Sequence, residues 1–185
     1  MKRKIFALLI VFAAVCVASQ CAFAGGGETM FSEGYENLVP ARMTQCYVEG
    51  EKLGDLLLNS RGVIDFIYLD EALSNAVTQS RGVPEWFSNC NVYYEANGGQ
   101  GKAVFVIKLV AYKPWQIDIK QFSIGGYHLS EKDALTSSLN NPFGKDARDE
   151  DDWVFVLAVP KQYVKPGSEI QLGYGKYLAN WKVPR

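Results

Sequence analysis

The sequence predicts a mainly β protein, built as an antiparallel β-sandwich with one or two short helices near its N-terminus. Apolar and polar residues alternate over several segments, which is the period of strands with one buried face. Towards the C-terminus, turn residues separate these segments by about eight to twelve residues, the spacing typical of sandwich strands. The run 103–112 is the most apolar one after residue 24, and its length suits a strand at the centre of a sheet.

The first 24 residues predict a cleaved secretory signal peptide. A basic start at residues 2–4 precedes the uncharged run 5–17, and residues 22–24 supply the small-x-small motif of a cut before Gly25. The apolar run of about thirteen residues is shorter than the roughly twenty that a membrane-spanning helix needs. A retained anchor and a lipid-modified cysteine are the less favoured alternatives. We therefore expect an extracytoplasmic protein, periplasmic or secreted, with no membrane span after cleavage.

The remaining chain has the length of one domain, which buries roughly 70% of the surface that its unfolded chain exposes. We expect residues 25–42, which begin with three glycines, to be a flexible lead-in, and residues 43–185 to form a single β-sandwich domain. Without the leader the chain carries 16 basic and 20 acidic residues, a net charge of −4. This balance argues against nucleic acid and anionic membranes as partners.

The first part of the domain mixes strands with a helix. Alternation predicts the first strand over 43–48 and another over 63–69. Between them, leucines at 53, 56 and 57 have helical spacing, although Gly54 weakens a helix by about 1 kcal/mol relative to alanine. Asp70 is a suitable N-cap for a helix over 71–80, where apolar residues form one stripe.

From Cys90 onward the patterns favour strands. Cys90, Val92 and Tyr94 alternate with polar residues, and the glycine-rich segment 97–101 predicts a hairpin turn into the strand 103–112. The apolar phase then changes twice, which predicts a β-bulge near 120–121 and a bend at 125–126.

The polar segment 130–152 is expected to lie on the surface. Strict alternation then predicts the final strands 153–159, 170–174 and 177–183. The pattern from Trp153 to Pro184 resembles the closing strands of immunoglobulin-like domains, and this resemblance implies an architecture and no activity.

Two cysteines, Cys46 and Cys90, follow the leader, and they predict a disulfide in an oxidising compartment. Closing the loop of about 44 residues between them is worth about 4 kcal/mol in the chain-entropy model. Two separate buried thiols are the alternative. A zinc site is disfavoured because His128 is the only histidine.

Acidic residues concentrate at 146–152 and suggest a weak calcium site. Asp146, Asp149 and Asp151 are the candidate ligands, because calcium prefers six to eight oxygen donors. The spacing differs from that of the helix-loop-helix calcium motif, and Lys145 and Arg148 partly neutralise the cluster. A solvated acidic loop is therefore the favoured interpretation.

Tryptophans are the candidates for ligand binding. Trp86 and Trp115 each lie near a proline at a predicted strand boundary, where an exposed ring could stack on a sugar or an apolar ligand. Trp153 and Trp181 occupy strand positions that face the core, so we assign them to packing.

No catalytic or cofactor motif stands out. His128 lacks a companion serine on a nucleophile elbow, and the glycines at 98–101 do not precede a predicted helix that could cradle phosphate. Paired-carboxylate hydrolysis remains an alternative, although no spacing singles out two of the acidic residues Asp65, Glu71, Glu85 and Glu95.

These observations favour an exported, non-catalytic binding or assembly module without a cofactor, whose ligand is a protein or a carbohydrate. Two alternatives stay open. One is an extracytoplasmic hydrolase that uses paired carboxylates. The other is an assembly subunit that exchanges a strand through the lead-in.

Overall fold

The structure, a computed structural model, describes residues 34–53, 56–98, 100–137, 142–148 and 151–185. Within these ranges it contains three helices, namely α1 (Tyr35–Arg42), α2 (Glu71–Gln79) and α3 (Glu85–Asn97). The strands are β1 (Met43–Val48), β2 (Glu51–Leu53), β3 (Leu56–Leu58), β4 (Gly62–Leu69), β5 (Lys102–Ala111), β6 (Trp115–Gln116), β7 (Phe122–Ile124), β8 (Tyr127–His128), β9 (Asp146–Ala147), β10 (Asp152–Pro160), β11 (Glu169–Tyr174) and β12 (Tyr177–Lys182). The predicted signal peptide, residues 1–24, lies outside the described residues.

Two four-stranded antiparallel sheets make up most of the fold. The central sheet has the strand order β1, β4, β5, β10, and the second sheet has the order β12, β11, β7, β8. Two smaller sheets pair β2 with β3 and β6 with β9. All of these strand pairs are antiparallel. The prediction of a mainly β protein with antiparallel sheets is confirmed.

The central sheet buries side chains on both of its faces, because successive residues of a strand point to opposite sides. In β4, Ile64 and Phe66 belong to an apolar cluster that also contains Phe122 and Leu172 from the second sheet. The next residue, Ile67, belongs to a different cluster that contains helix side chains. The helices contribute Leu73, Val77, Phe87 and Cys90 to this helix-side cluster. One face of the central sheet therefore packs with the second sheet and the other with the helices.

Phe122 lies at the centre of the aromatic packing between the two four-stranded sheets. Its ring is fully buried, and its centroid lies 6.2 Å from that of Phe66 and 5.8 Å from that of Phe155. The ring of Tyr174 is nearer still, at 5.0 Å. These three contacts are edge-to-face, a geometry worth about 0.5–1.5 kcal/mol per pair beyond the area that it buries.

Asp70 begins α2 and joins it to α1. Its Oδ1 accepts a hydrogen bond of 2.9 Å from the backbone N–H of Leu73, as predicted for an N-cap. The Nε–H of Arg42 donates a bifurcated hydrogen bond to the same carboxylate, with N–O distances of 2.8 and 2.9 Å. The side chain of Arg42 is 9% exposed, so this ion pair is largely shielded from water. Residues 35–42 of the predicted flexible lead-in are thus helical and bound to the domain.

The predicted strand around Cys90 is wrong, because this segment lies in α3. Phe87, Cys90 and Asn91 are buried on one side of the helix, whereas Val92 is 61% exposed. The buried residues therefore follow the helical spacing i, i+3, i+4. The alternation at positions 90, 92 and 94 does not correspond to a buried face. Consequently the turn at 97–101 joins a helix to β5 and does not close a hairpin.

The leucines at 53, 56 and 57 lie in a hairpin formed by β2 and β3, so their helical spacing is also misleading. The hairpin leaves the central sheet between Glu49 and Asn59, whose φ angles are 57° and 55°. These left-handed conformations are uncommon for residues other than glycine, and they turn both chain segments out of the β1–β4 ladder. Leu53 and Leu58 are 67% and 43% exposed on this hairpin.

The two predicted irregularities after residue 113 have different outcomes. A 3-10 turn occupies Ile119–Gln121, where a β-bulge was predicted. The predicted bend at 125–126 is present as a two-residue turn that joins β7 to β8. Both glycines there have positive φ, 60° at Gly125 and 82° at Gly126, which suits the tight turn of a hairpin.

The predicted surface segment 130–152 contains more structure than its polarity suggests. Among its described residues, a 3-10 turn spans Glu131–Asp133 and β9 pairs with β6. Asp133 is buried and accepts hydrogen bonds from the hydroxyls of Tyr127 and Ser130 and from the Ser130 backbone N–H. These bonds satisfy the carboxylate and hold the turn against the β7–β8 hairpin.

The predicted disulfide between Cys46 and Cys90 is not formed, because both thiols are free. Cys46 belongs to the cluster shared with the second sheet, and Cys90 belongs to the helix-side cluster. The central sheet therefore separates the two sulfur atoms. The thiol of Cys46 donates a hydrogen bond of 3.0 Å to the carbonyl oxygen of Tyr177 instead.

Both buried thiols are expected to resist alkylation in the folded protein. Burial raises the pKa of Cys90 to about 11 and also raises the pKa of Cys46, so both remain protonated at neutral pH. After denaturation without reductant, we expect iodoacetamide to label both residues, as read by peptide mass mapping. Labelling that requires prior reduction would show that the two cysteines form a disulfide after all.

Replacing Asp70 separates its two structural roles. Asp70→Asn keeps a capping side chain but leaves the shielded Arg42 charge without its carboxylate, so we expect a loss of about 1–3 kcal/mol in unfolding free energy. Asp70→Ala also removes the cap and should lose about 1 kcal/mol more. Urea unfolding at pH 7 measures both values. Equal stabilities of the two variants would contradict the capping role.

Candidate functional site

A polar strip crosses the helix-side face of the central sheet, next to the part that the helices cover. The register aligns Gln45, Asp65 and Lys108 on the neighbouring strands β1, β4 and β5. The row beside it contains Asp152 at the start of β10. Gln45 and Asp152 are exposed, and Asp65 and Lys108 are half-buried. We call Gln45, Asp65, Lys108 and Asp152 the polar strip.

Direct contacts connect the members of the polar strip. The Nε2 of Gln45 donates a hydrogen bond of 2.9 Å to Oδ1 of Asp65. The ammonium of Lys108 lies 3.4 Å from Oδ2 of Asp152. The hydroxyl of Tyr47 lies 2.8 Å from Oε1 of Gln45 and extends the strip at the β1 edge. Amide, carboxylate and ammonium groups are thus held side by side on paired strands.

Trp86 borders the polar strip from the first turn of α3. The Nζ of Lys108 lies 5.7 Å from the centroid of the Trp86 ring, within the range of a cation–π contact. The Trp86 ring also packs against Phe87, with 5.2 Å between their centroids. Trp86 is half-buried, so part of its ring remains accessible beside the charged groups.

The carboxyl group of Asp65 is the electrostatically unusual member of the strip. Burial raises its pKa above the ordinary value, and the nearby charge of Asp152 acts in the same direction. The hydrogen bond from Gln45 and the charge of Lys108 lower the pKa, but they do not cancel the effect of burial. The folded protein therefore holds this negative charge at a cost in stability.

The other predicted ligand-binding tryptophan, Trp115, is in the core. It is 8% exposed, and its ring packs edge-to-face on Tyr174 with 4.9 Å between the centroids. A side chain at Gly62 would collide with this ring, so the absence of a Cβ there makes room for it. Trp181 is 7% exposed and packs in the core as predicted. Trp153 is half-buried at the core's edge, with Lys145 over its ring.

The four carboxylates weighed for catalysis lie on three different elements. Asp65 lies on β4, Glu71 begins α2, and Glu85 and Glu95 lie on α3. The charged neighbours that influence Asp65 are Lys108 and Asp152. Neither of these was singled out as a partner from the sequence. The sequence does contain a signal for the pairing of Asp65 with Lys108. These two residues carry opposite charges, and each interrupts an otherwise apolar strand.

The calcium candidate is only partly described. Asp149 lies outside the described residues, Asp146 is exposed on β9, and Oδ2 of Asp151 accepts a hydrogen bond of 2.6 Å from the Arg148 backbone N–H. Over the part of the chain that the structure describes, no three His, Cys, Asp or Glu side chains converge as a metal site would require. His128 is exposed on the short strand β8.

No family model, no curated protein and no solved structure matches this chain. Among the described residues, no helix has both the length and the apolar composition needed to cross a membrane.

Replacing Asp65 by Asn is expected to change how stability depends on pH. Because the folded-state pKa of Asp65 is raised, the contribution of this group to stability is greatest below its unfolded-state pKa of about 3.9 and is lost as the pH rises through the folded-state value. Asp65→Asn lacks this loss and still offers Gln45 an acceptor. We expect it to match wild type near pH 4 and to be more stable than wild type at pH 7.

Chemical unfolding of both proteins between pH 4 and pH 7 measures this difference. Glu169→Gln, a change at an exposed carboxylate on β11, is the matched control and should track wild type. A stability of Asp65→Asn that stays below wild type at pH 7 would show that the charge of Asp65 stabilises the fold.

Proposed function

We propose that this protein is an exported, non-catalytic binding module that recognises a hydroxyl-rich ligand of the carbohydrate class on the polar strip. The observation that carries the proposal is the half-buried carboxylate of Asp65, placed opposite Lys108 on the two inner strands of the central sheet. Apolar residues at these positions would extend the helix-side cluster. Retaining a destabilising charge there is expected where recognition needs it.

The chemistry of the strip suits sugars. Carboxylate oxygens of Asp65 and Asp152 accept hydrogen bonds from hydroxyls, the ammonium of Lys108 donates them, and the amide of Gln45 does both. Trp86 adds an aromatic surface on which the apolar face of a sugar ring can stack. Because these groups project from paired strands and a helix, little ordering is needed when a ligand binds.

We further propose that the two four-stranded sheets form a β-sandwich. Support comes from the apolar cluster that contains side chains from both sheets, with Phe122 at its centre. The helices on the opposite face of the central sheet would then form a third layer. Such a layer is not a feature of the immunoglobulin arrangement.

Export rests on the leader pattern of the sequence. Residues 2–24 combine a basic start, an apolar run and a small-x-small motif, which together are typical of a cleaved signal peptide. An extracytoplasmic location would place the polar strip where extracellular or cell-envelope glycans occur. An N-terminus at Gly25 in protein isolated from its native source would support this location.

A second candidate is glycoside hydrolysis at the same strip. The observation that favours it is the raised pKa of Asp65 beside a second carboxylate, Asp152, since glycosidases pair a protonated carboxylic acid with an ionised carboxylate. Lys108 contacts Asp152 and neighbours Asp65, which brings the two carboxyl groups to one ammonium. Release of reducing ends from an oligosaccharide, lost in Asp65→Asn, would distinguish hydrolysis from binding alone.

Removing the ammonium of Lys108 should weaken ligand binding. We expect screening on a glycan array to identify an oligosaccharide ligand, and calorimetry to show that Lys108→Met binds it about 10- to 100-fold more weakly, the value of one charge-assisted hydrogen bond. Trp86→Leu should weaken binding through loss of stacking.

Two controls test whether this loss is specific to the strip. Lys161→Met removes an exposed lysine from the 3-10 turn Lys161–Tyr163, and Trp153→Phe alters a tryptophan on the opposite face of the central sheet. Both should bind as wild type does. The proposal fails if no glycan binds, or if Lys108→Met binds the ligand with unchanged affinity.

A further inference from the structure

Tyr47 lies beside the polar strip, two residues beyond Gln45 on the edge strand β1. Residues two apart on a strand project to the same side, so the two side chains share one face of the sheet. The hydroxyl of Tyr47 donates a hydrogen bond of 2.8 Å to Oε1 of Gln45. Nε2 of Gln45 in turn donates one of 2.9 Å to Oδ1 of Asp65, its partner across the ladder. Two consecutive hydrogen bonds therefore lead from Tyr47 to the carboxylate.

The ionised carboxylate fixes the direction of both hydrogen bonds. A carboxylate only accepts hydrogen bonds, whereas a side-chain amide has a donor end and an acceptor end. The amide of Gln45 must therefore turn its N–H end to Asp65, because the reverse orientation would bring two acceptor oxygens together. Its carbonyl end then faces Tyr47, whose hydroxyl supplies the donor that this oxygen needs. Tyr47 consequently favours the one amide orientation that serves Asp65.

The second oxygen of Asp65 is the one suited to a ligand. Asp65 is half-buried, and within the described part of the chain no group donates a hydrogen bond to its Oδ2. The ammonium of Lys108 contacts Asp152 and acts on Asp65 through its charge. These two charged side chains, on β5 and β10, are the ones that influence Asp65, and a change at Tyr47 leaves both in place. Oδ2 can accordingly accept a hydrogen bond from a ligand hydroxyl.

We propose that Tyr47 is a positioning residue of the polar strip, which orients the amide of Gln45 so that Asp65 is held as an ionised acceptor for a ligand hydroxyl. This inference rests on the proposed function, and it gives Tyr47 a role through Gln45 that needs no contact with the ligand. Without the Tyr47 hydroxyl the amide can rotate, and its hydrogen bond to Asp65 forms less of the time. Because that bond favours the charged carboxylate, its loss raises the pKa of Asp65.

Nuclear magnetic resonance titration of the Asp65 carboxyl carbon in the full chain tests this role without a ligand. We expect a higher pKa for Asp65 in Tyr47→Phe than in wild type, because this variant keeps the ring and loses only the hydroxyl. Tyr112→Phe, a change at an exposed tyrosine directly after β5, is the matched control and should leave the pKa unchanged. In a Gln45→Leu background, Tyr47→Phe should have no further effect, since the amide through which it acts is absent.

Two results of this titration would overturn the proposal. An unchanged pKa of Asp65 in Tyr47→Phe would show that the hydroxyl does not orient the amide. A rise of the same size in the Gln45→Leu background would show that Tyr47 acts on Asp65 without Gln45. On a glycan array, Tyr47→Phe should give weaker signals than Tyr112→Phe. If the wild-type chain binds no glycan, the proposed function fails, and the titration still decides whether Tyr47 positions Gln45.

Discussion

The fold depends on burying both faces of one antiparallel sheet. The inner strands β4 and β5 are paired along their whole lengths, so each of their side chains faces either the second sheet or the helices. Ile107 and Leu109 pack on one side and Val104 and Val106 on the other. At roughly 25 cal/mol for each Å² of apolar surface removed from water, these two clusters are the main source of stability. Whether a residue occupies an odd or an even position along its strand, which we call strand parity, consequently decides which of these two surroundings its side chain enters.

Strand parity also explains which elements could be predicted from the sequence. Segments 63–69 and 153–159 are short, almost wholly apolar runs rich in β-branched and aromatic residues, and their strands were predicted close to their observed bounds. The segment 85–97 was assigned wrongly because Cys90 and Tyr94 satisfy both the strand period and the helical period. Phe87 decides between them, since it shares the helical spacing only. Its burial at 2% exposure depends on contacts with the distant α2 and the central sheet, which local patterns do not reveal.

The candidate site could be predicted only in part, because the sequence does not show which layer of the fold a side chain enters. The cysteines at 46 and 90 suggested a disulfide, and the tryptophans at 86 and 115 suggested ligand binding. Whether two cysteines can pair, and whether an indole ring is exposed, depends on the layer that each side chain enters. A disulfide was predicted because two cysteines follow the leader and the compartment was expected to be oxidising. Cys46 and Cys90 instead enter different layers, and the central sheet lies between them. Trp86 remains accessible beside Lys108, whereas Trp115 fills the space above Gly62. Neighbouring prolines could not distinguish these two environments.

A single strand, β4, positions groups that serve the polar strip, the core and the start of α2. Asp65 lies in its middle and faces the helix side, Tyr68 lies near its end and packs on Trp181, and Asp70 follows directly to cap α2. Because β4 is hydrogen-bonded to β1 and β5, none of these groups can move far without breaking ladder bonds. Rigid placement reduces the conformational entropy that is lost when a ligand binds the polar strip. A strand that contributes buried side chains to both apolar clusters thus also helps to fix the geometry of the polar strip.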